Sequence, residues 1–287
     1  MRRPEWKDFD IIHAQLFPSQ FFMPIAAKAL GLKASLITTE QGSFTHRRDK
    51  FWGKPVDNWF YQFYDKITCV SGHTLDNMVN WMPQTREKLV VIQNGVDYHQ
   101  YALGTADRPD RNKPIIVSVG RLTHQKNYET TIKALAHLQD VPFEYWILGT
   151  GELEESLRNM VAELKLEDKV KFLGFRNDIP ELLNKGDVFL LASHWEGLSL
   201  AMVEAMAAGL PVVVSDIPEA REAVTPQSGC GVLVNPNSET DIAAKLRSLL
   251  MDYPLRQEMG HKAQVRAADF DMGRIVQEYL NLYRTAV

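Results

Sequence analysis

The chain has 287 residues, 45% hydrophobic and 24% charged, and carries a formal net charge of −4. This is the composition of a globular protein, and the length favours two domains. The acidic balance argues against nucleic acid as a partner, because binding phosphates along a duplex requires a basic surface. No apolar run of about 20 residues occurs, which argues against a membrane-spanning helix. The first ten residues lack the apolar segment of a secretory signal. Both cysteines are predicted to be buried free thiols, as in a reducing compartment. We therefore predict a cytoplasmic protein.

Short Val- and Ile-rich segments alternate with segments of helical period, which predicts parallel sheets covered by helices. In the first part we expect helices at 19–31, 56–64 and 72–82 and strands at 10–14, 34–39, 66–70 and 88–93. Residues 98–113 lose this periodicity and are rich in Gly, Pro, Asp and Asn. The sequence thus predicts an N-terminal domain at 1–97 followed by a linker at 98–113.

The second part repeats the alternation more regularly. Its strands are predicted at 114–120, 143–149, 169–174, 187–193, 210–215 and 230–234. We assign 114–268 to a C-terminal domain and 269–287 to a helix that packs back towards the N-terminal domain. The predicted fold class is α/β, with two doubly wound Rossmann-like domains of which the first is shortened. Ligands of such folds bind beyond the carboxyl ends of the strands, so the loops at those ends are the candidate sites.

The loop after the predicted strand 114–120 carries two cations. Gly120 ends the strand, and Arg121 and Lys126 follow before the next helix. An arginine fork and a lysine point charge at a strand end suit a diphosphate, although two solvated surface cations would show the same pattern.

The loop after the predicted strand 143–149 holds Gly149 and Gly151. A dinucleotide fingerprint would need a third glycine where Glu154 stands, which argues against a nicotinamide cofactor. The two glycines predict a tight turn that lets backbone line a ligand cleft.

The segment "SHWEGLSLAMVEAMAAGLPVVVSD" (193–216) places two acids, Glu196 and Glu204, in an apolar stretch. We expect Ser199 to cap a helix that runs to residue 208, whose free N–H groups at 198–200 form an anion site. Each carboxylate could then accept hydrogen bonds from a sugar diol on one side of a bound phosphate. The alternatives are a structural ion pair for Glu204 and an exposed loop acid for Glu196.

Three groups of residues outside these loops have more than one explanation. His13 lies in the first predicted strand, where a hydrogen-bonded core histidine is the main alternative to a cleft residue. Arg47, Arg48, Lys50 and Lys54 cluster in a predicted loop, and either solvation or contact with anionic lipid or an acidic substrate would explain them. The eight histidines show no ligand spacing, and both "DFD" segments (8–10 and 269–271) are interpreted as structural, so we predict no metal site.

The segments "VGRLTHQKN", "KVKFLGF" and "DVFLLASHWEGLSLAMVEAMAAGLPVV", in this order, resemble the donor-binding half of the retaining GT-B glycosyltransferases of family 4. The resemblance is close over 114–235. It implies that Arg121 and Lys126 neutralise the departing diphosphate without a metal or cofactor, while Glu196 and the backbone of Gly197 and Leu198 hold the donor sugar. Glu204 would bind the ribose hydroxyls. The remaining donor-site residues implied by this resemblance are Gly120, Gly149, Gly151, Phe175, Arg176 and Ser199, with Phe175 and Arg176 framing the base.

The N-terminal half departs from the family. Two strand–helix units that precede "DIIHAQ" in similar proteins are absent, and Gln41 stands where the family has a histidine that points at the donor sugar. We predict a hexosyltransferase whose donor is a nucleoside diphosphate sugar, above all a UDP-sugar. Its acceptor would be a glycan or a lipid-linked sugar in the synthesis of surface polysaccharide or lipopolysaccharide. We also expect peripheral contact with the inner membrane. The main alternative is a catalytically degenerate nucleotide-sugar-binding GT-B module, or a subunit that needs a partner for the missing N-terminal part. An oxidoreductase and a nucleotide-sugar epimerase are weaker alternatives.

Overall fold

The structure is a computed structural model that describes residues 8–42, 46–104 and 108–286. The chain forms two compact units: unit 1 comprises Met1–Asn94 and Gly273–Val287, and unit 2 comprises Gly95–Met272. Each unit contains one parallel sheet with helices between successive strands. The predicted α/β class of two Rossmann-like units is therefore confirmed.

Unit 1 has a four-stranded parallel sheet in the order β1-β2-β3-β4. Its strands are β1 (Ile11–Gln15), β2 (Ser35–Glu40), β3 (Lys66–Cys69) and β4 (Leu89–Val91). Its helices are α1 (Ser19–Leu30), α2 (Gly53–Tyr61), α3 (Gly72–Trp81) and residues 273–286 of α12 (Met272–Ala286). Leu36 packs with α1, α2 and α3 residues, whereas its neighbour Ile37 packs with Ile275 and Leu282 of α12. Both faces of the sheet are thus covered, as the near-continuous apolar strands predict.

Unit 2 has a six-stranded parallel sheet in the order β10-β9-β8-β5-β6-β7. Its strands are β5 (Ile115–Val119), β6 (Glu144–Leu148), β7 (Val170–Gly174), β8 (Val188–Leu191), β9 (Val212–Ser215) and β10 (Gly231–Val234). The chain adds β6 and β7 on one side of β5 and then returns to the other side with β8. The topological switch point of this sheet therefore lies between β5 and β8, where ligands of doubly wound sheets bind.

The helices of unit 2 cover both faces of its sheet. They are α4 (Tyr98–Tyr101), α5 (Tyr128–Ala136), α6 (Glu154–Glu163), α7 (Ile179–Lys185), α8 (Leu200–Ala207), α9 (Pro218–Ala223), α10 (Glu239–Met251) and α11 (Tyr253–Ala267). Val203 and Met206 of α8 pack on the face that presents Val117, and Leu246 of α10 packs on the face that presents Ile116. The described helices include none with the length and apolar character needed to cross a membrane.

The segment predicted to be a linker, 98–113, lies within unit 2. Tyr98 and Tyr101 pack against the apolar cluster of this unit, and the guanidinium of Arg108 donates to the carbonyl oxygens of Gly186 and Ala208 at 2.5 and 2.7 Å. Residues 105–107 of the segment lie outside the described residues. Its Gly, Pro and Asp content reflects irregular backbone, while Tyr98, Tyr101 and Arg108 attach it to unit 2.

Arg47 and Arg48 were predicted to be solvated or in contact with an anionic partner, and both expectations are wrong. The guanidinium of Arg47 pairs with Asp57 at 2.5 Å, and that of Arg48 pairs with Glu40 at 2.9 Å. Asp57 is completely buried and also accepts a 2.9 Å hydrogen bond from the indole N–H of Trp81. Buried acids and cations compensate one another here, so neither arginine is available to a ligand.

Candidate functional site

The loops after β5 and β8 lie side by side at the switch point of unit 2. The backbone N–H of His194 donates to the carbonyl oxygen of Gln125 at 2.9 Å, and the Gln125 side chain donates to that of Trp195 at 2.9 Å. Asn127, buried and at a positive φ of 54°, donates from its side-chain amide to the carbonyl oxygen of Ala192 at 2.9 Å. The two loops are therefore held as one surface before any ligand binds.

This surface brings Lys126 and Glu196 together. The Lys126 ammonium lies 2.5 Å from a Glu196 carboxylate oxygen, and the Ser193 hydroxyl donates to the same oxygen at 2.7 Å. Both charged side chains are largely buried, at 15% and 12% exposure. Within the described residues Arg121 is exposed and makes no ion pair, so its guanidinium is free to bind an anion. A fixed ammonium, a free guanidinium and a carboxylate form a compact polar site.

The N-terminus of α8 adds backbone donors to this site. The N–H groups of Gly197 and Leu198 donate to no acceptor in the described part of the chain, and they immediately precede the helix. Ser199 occupies the N-cap position, but its side chain makes no capping hydrogen bond, so the predicted side-chain cap is wrong. The unused donors at this end of the helix dipole favour an anion.

Glu204 lies inside α8, and the hydroxyl of Tyr101 in α4 is a neighbouring group that interacts with its carboxylate. No described Lys or Arg pairs with it, so the alternative of a structural ion pair is wrong. Burial raises the pKa of Glu204 above its usual range, while the neighbouring Tyr101 hydroxyl opposes this shift. A half-buried carboxylate without a cation costs folding free energy and has acceptor capacity left for a ligand.

We expect Glu204→Gln to be more stable than wild type at neutral pH. A raised pKa means that the folded state binds more protons, so wild-type stability falls as the pH rises from the unfolded pKa, near 4.5, through the folded pKa. Glutamine keeps a side-chain oxygen beside Tyr101 but carries no charge. Thermal unfolding at pH 4 and pH 8 should show a gain for the variant only at pH 8. Glu155→Gln, on an exposed position of α6, is the control; equal gains in both variants would contradict the burial argument.

The glycines after β6 face the protein's own backbone. A Cβ on Gly149 would lie 2.1 Å from the carbonyl oxygen of Gly120, and one on Gly151 would lie 2.4 Å from that of Leu122. Gly149 also has a φ of 143°, a backbone conformation that residues with a side chain rarely adopt. These glycines therefore let the loops after β5 and β6 pack closely together. They contribute to a ligand site indirectly, by fixing the positions of Gly120 and Arg121.

Phe175 and Arg176 follow β7, at the sheet edge and two strands from β5. Phe175 is 76% exposed, and Arg176 binds Asp178 through two hydrogen bonds of 2.7 and 2.5 Å. Strands lie roughly 5 Å apart, so this loop is about 10 Å from the Lys126 loop, a separation that a nucleotide can span. Their predicted contact with a base stays a prediction.

The two candidate residues of unit 1 have different surroundings. Both ring nitrogens of His13 are hydrogen-bonded, to the Tyr283 hydroxyl at 2.8 Å and to the Thr39 hydroxyl at 2.7 Å, and burial lowers its pKa. These bonds leave no ring nitrogen for a cleft ligand, which favours a core histidine over a cleft residue. Gln41 is half-buried directly after β2, and its side chain makes two long contacts of 3.5 Å, to Gln15 and Asn94.

A small, open depression lies beside Glu196. It is lined by Leu191, Ser193, Glu196, Gly197, Ser199, Met202, Val214, Ser215, Ile217 and Ala220. The loop after β9 was not predicted to contribute, although Ser215 anchors it through a 2.5 Å hydrogen bond to the Ser193 carbonyl. Tyr101 was missed because it lies in the predicted linker. Among the described residues no cluster of three or more His, Cys, Asp or Glu side chains is arranged to hold a metal ion.

Two family models match the chain. The model of "Glycosyl transferases group 1" matches residues 106–266, and that of "Glycosyltransferase Family 4" matches residues 2–100. The first match covers more than half of the chain and includes the whole loop surface formed after β5 and β8.

Two curated relatives resemble the chain over much of its length. The N-acetylgalactosamine-N,N'-diacetylbacillosaminyl-diphospho-undecaprenol 4-alpha-N-acetylgalactosaminyltransferase of Campylobacter jejuni is 28% identical, over 90% of this chain and 72% of the relative. The UDP-Gal:alpha-D-GlcNAc-diphosphoundecaprenol alpha-1,3-galactosyltransferase of Escherichia coli is 31% identical, over 73% of this chain and 58% of the relative. The chain thus spans about three fifths to three quarters of these proteins.

A similar solved structure supports the fold assignment. The crystal structure of Anabaena Alr3699/HepE in complex with UDP and glucose has a TM-score of 0.85 and 24% identity, covering 97% of this chain and 79% of that chain. At this identity the likeness establishes the fold, which is the predicted GT-B fold. The sequence motifs, the two matching family models and this fold together place the chain in the glycosyl transferases group 1 family.

Proposed function

We propose that the protein is a retaining glycosyltransferase that moves a hexose from a nucleoside diphosphate sugar to a glycan or lipid-linked acceptor in surface polysaccharide or lipopolysaccharide assembly. The observation that carries this proposal is the Lys126–Glu196 pair at the switch point. The Gly197 and Leu198 N–H groups, which have no acceptor among the described residues, follow Glu196 directly, and Glu204, which has no described cation partner, lies further along in α8. One site therefore offers groups for an anion and for two sets of hydroxyls.

The diphosphate would lie between Lys126, Arg121 and the N-terminus of α8. Positive groups held in advance stabilise the charge that develops on the leaving diphosphate as the bond to the sugar breaks. The proposed reaction therefore uses no metal or cofactor.

The sugars would lie on either side of the diphosphate. Glu196, fixed by Lys126 and Ser193, can accept hydrogen bonds from donor-sugar hydroxyls, with Gly197 and Leu198 donating from the backbone. Glu204, oriented by Tyr101, can accept from the ribose hydroxyls. This division accounts for two acids in one apolar segment, and it makes Tyr101 a positioning residue for Glu204.

We propose a UDP-sugar as the donor. Support comes from the Anabaena structure, which is a complex with UDP and glucose, and from the Escherichia coli relative, whose name specifies a UDP-sugar. The names of both curated relatives specify a diphospho-undecaprenol acceptor, which supports a lipid-linked acceptor here. No observation on the described residues and none of the relatives reported above favours the alternative of a catalytically degenerate module.

The test is release of nucleotide from UDP-glucose, UDP-galactose, UDP-N-acetylglucosamine and GDP-mannose, with the anomeric configuration of the transferred or released sugar read by NMR. We expect release from one UDP-sugar with retention, and a loss of about tenfold or more in Glu196→Gln. Glu167→Gln, an exposed acid of unit 2, is the matched control and should act as wild type. Donor binding without any release, with or without a lipid-linked acceptor, would contradict transfer, and inversion would contradict the retaining mechanism.

A further inference from the structure

Exposed large apolar side chains are concentrated in one part of unit 1. Nine of them occur among the described residues between 16 and 63, and Phe51 is 95% exposed. They are Leu16, Phe17, Phe22, Ile25, Leu30, Phe51, Trp52, Trp59 and Phe63. A water-exposed surface rarely carries so many apolar side chains close together unless it meets a partner.

Ring contacts connect α1 to α2 across this surface. The ring of Phe21 lies 5.2 Å from that of Phe22, 6.2 Å from that of Phe17 and 5.4 Å from that of Trp59, and Trp59 lies 5.4 Å from Phe63. A shallow, open groove between the two helices is lined by Pro24, Ile25, Lys28, Ala29, Trp59 and Phe63. Ring contacts and this groove connect Phe17, Phe22, Ile25, Trp59 and Phe63. We use the name aromatic face for this connected set together with the four other exposed apolar residues of the same segment, Leu16, Leu30, Phe51 and Trp52.

The charges around the aromatic face are mostly positive. Residues 16–63 contain four exposed lysines, Lys28, Lys33, Lys50 and Lys54, and one exposed acid, Asp49. The other charged side chains of this segment, including Arg47, Arg48 and Asp57, are buried or part-buried and neutralise one another. The exposed charge here is therefore opposite in sign to the net charge of −4 of the whole chain.

We propose that the aromatic face binds the surface of an anionic lipid bilayer. Aromatic side chains with lysines at their margin are the pattern of segments that lie in the headgroup region, where Trp and Phe insert and lysines meet phosphates. Phe51 and Trp52 project before α2 and would insert first. A second copy of the chain fits this face less well, because a two-fold interface would set lysines against lysines.

This inference goes beyond the proposed function, since it concerns unit 1 and needs no nucleotide. It also corrects the expected source of membrane contact. Arg47 and Arg48 are occupied by Asp57 and Glu40, so the lysines and the aromatic side chains make the contact instead.

The test is flotation of the full chain with vesicles of phosphatidylcholine alone and with vesicles containing about 30% phosphatidylglycerol. We expect binding to the anionic vesicles that weakens with salt. Phe51→Ser with Trp52→Ser, and separately Lys28→Glu with Lys50→Glu, should each reduce it about tenfold or more. All four side chains are exposed, so the fold should be retained, and thermal unfolding checks this.

The matched controls are Val265→Ser and Lys245→Glu, at exposed positions of unit 2, which should bind vesicles as wild type does. Equal binding by all variants, or no preference for anionic lipid, would overturn the proposal. Absence of vesicle binding would also overturn it, and sedimentation would then show whether the face joins two copies instead. UDP binding measured on the same samples separates these outcomes from failure of the proposed function.

Discussion

Lys126→Ala should lower the rate of sugar transfer at saturating donor by about 10²–10³-fold. Its ammonium is held 2.5 Å from Glu196 at the switch point, where it would meet the departing diphosphate. Removing it deletes the stabilising charge and also leaves Glu196 largely buried without its cation. We therefore expect kcat to fall more than KM changes, because the diphosphate charge develops in the transition state.

Lys133→Ala is the matched control for this variant. Lys133 lies on α5, is half-exposed, and its ammonium lies 4.0 Å from Glu239, away from the Lys126–Glu196 pair, so its removal should leave transfer unchanged. Steady-state kinetics with the preferred UDP-sugar measures both variants, with thermal unfolding as a check of the fold. Similar kcat values for Lys126→Ala and wild type would show that this ammonium does not stabilise the leaving group.

Asp57→Ala should lower the free energy of unfolding of unit 1 by about 3–5 kcal/mol. Asp57 is completely buried and meets the guanidinium groups of Arg47 and Arg48 and the indole N–H of Trp81. Its removal leaves Arg47 buried without an acid and Trp81 without an acceptor. Urea unfolding followed by tryptophan fluorescence measures the loss, since Trp81 reports on this cluster.

Asp49→Ala tests whether the effect depends on burial. Asp49 belongs to the same segment but is exposed, so its removal should change stability by less than about 0.5 kcal/mol. Comparable losses in the two variants would contradict the interpretation of Arg47 and Arg48 as buried partners of Asp57.

The sheets of both units could be predicted from the sequence because apolar strands and amphipathic helices have distinct periods. All ten predicted strands occur, with ends within one or two residues of the predicted ones. β5 and β8 end shortly before the loops that carry Arg121, Lys126 and Glu196. Strand order then places these side chains in adjacent loops. The site of unit 2 follows from local pattern together with the rule that ligands bind at strand ends.

The errors have a common physical cause, which is pairing between residues distant in the chain. Nothing near Arg47 in sequence shows that Asp57 is buried beside it, and nothing near Glu204 shows that Tyr101 crosses from a segment predicted to be a linker. The role of Gly149 was likewise hidden, because it depends on contact with Gly120 at the end of the neighbouring strand. Periodicity identifies elements, whereas such partners depend on the folded chain.

The most direct test of the donor site is calorimetric titration of UDP into wild type, Glu204→Gln and Glu155→Gln. We predict that wild type and the exposed control Glu155→Gln each bind one UDP per chain. The affinity of Glu204→Gln for UDP should be lower by about tenfold or more, because a charged hydrogen-bond acceptor is lost. The variant that is more stable at neutral pH would then be the one that binds poorly. No binding by wild type, or equal affinities in all three proteins, would contradict a nucleotide site at the carboxyl edge of unit 2.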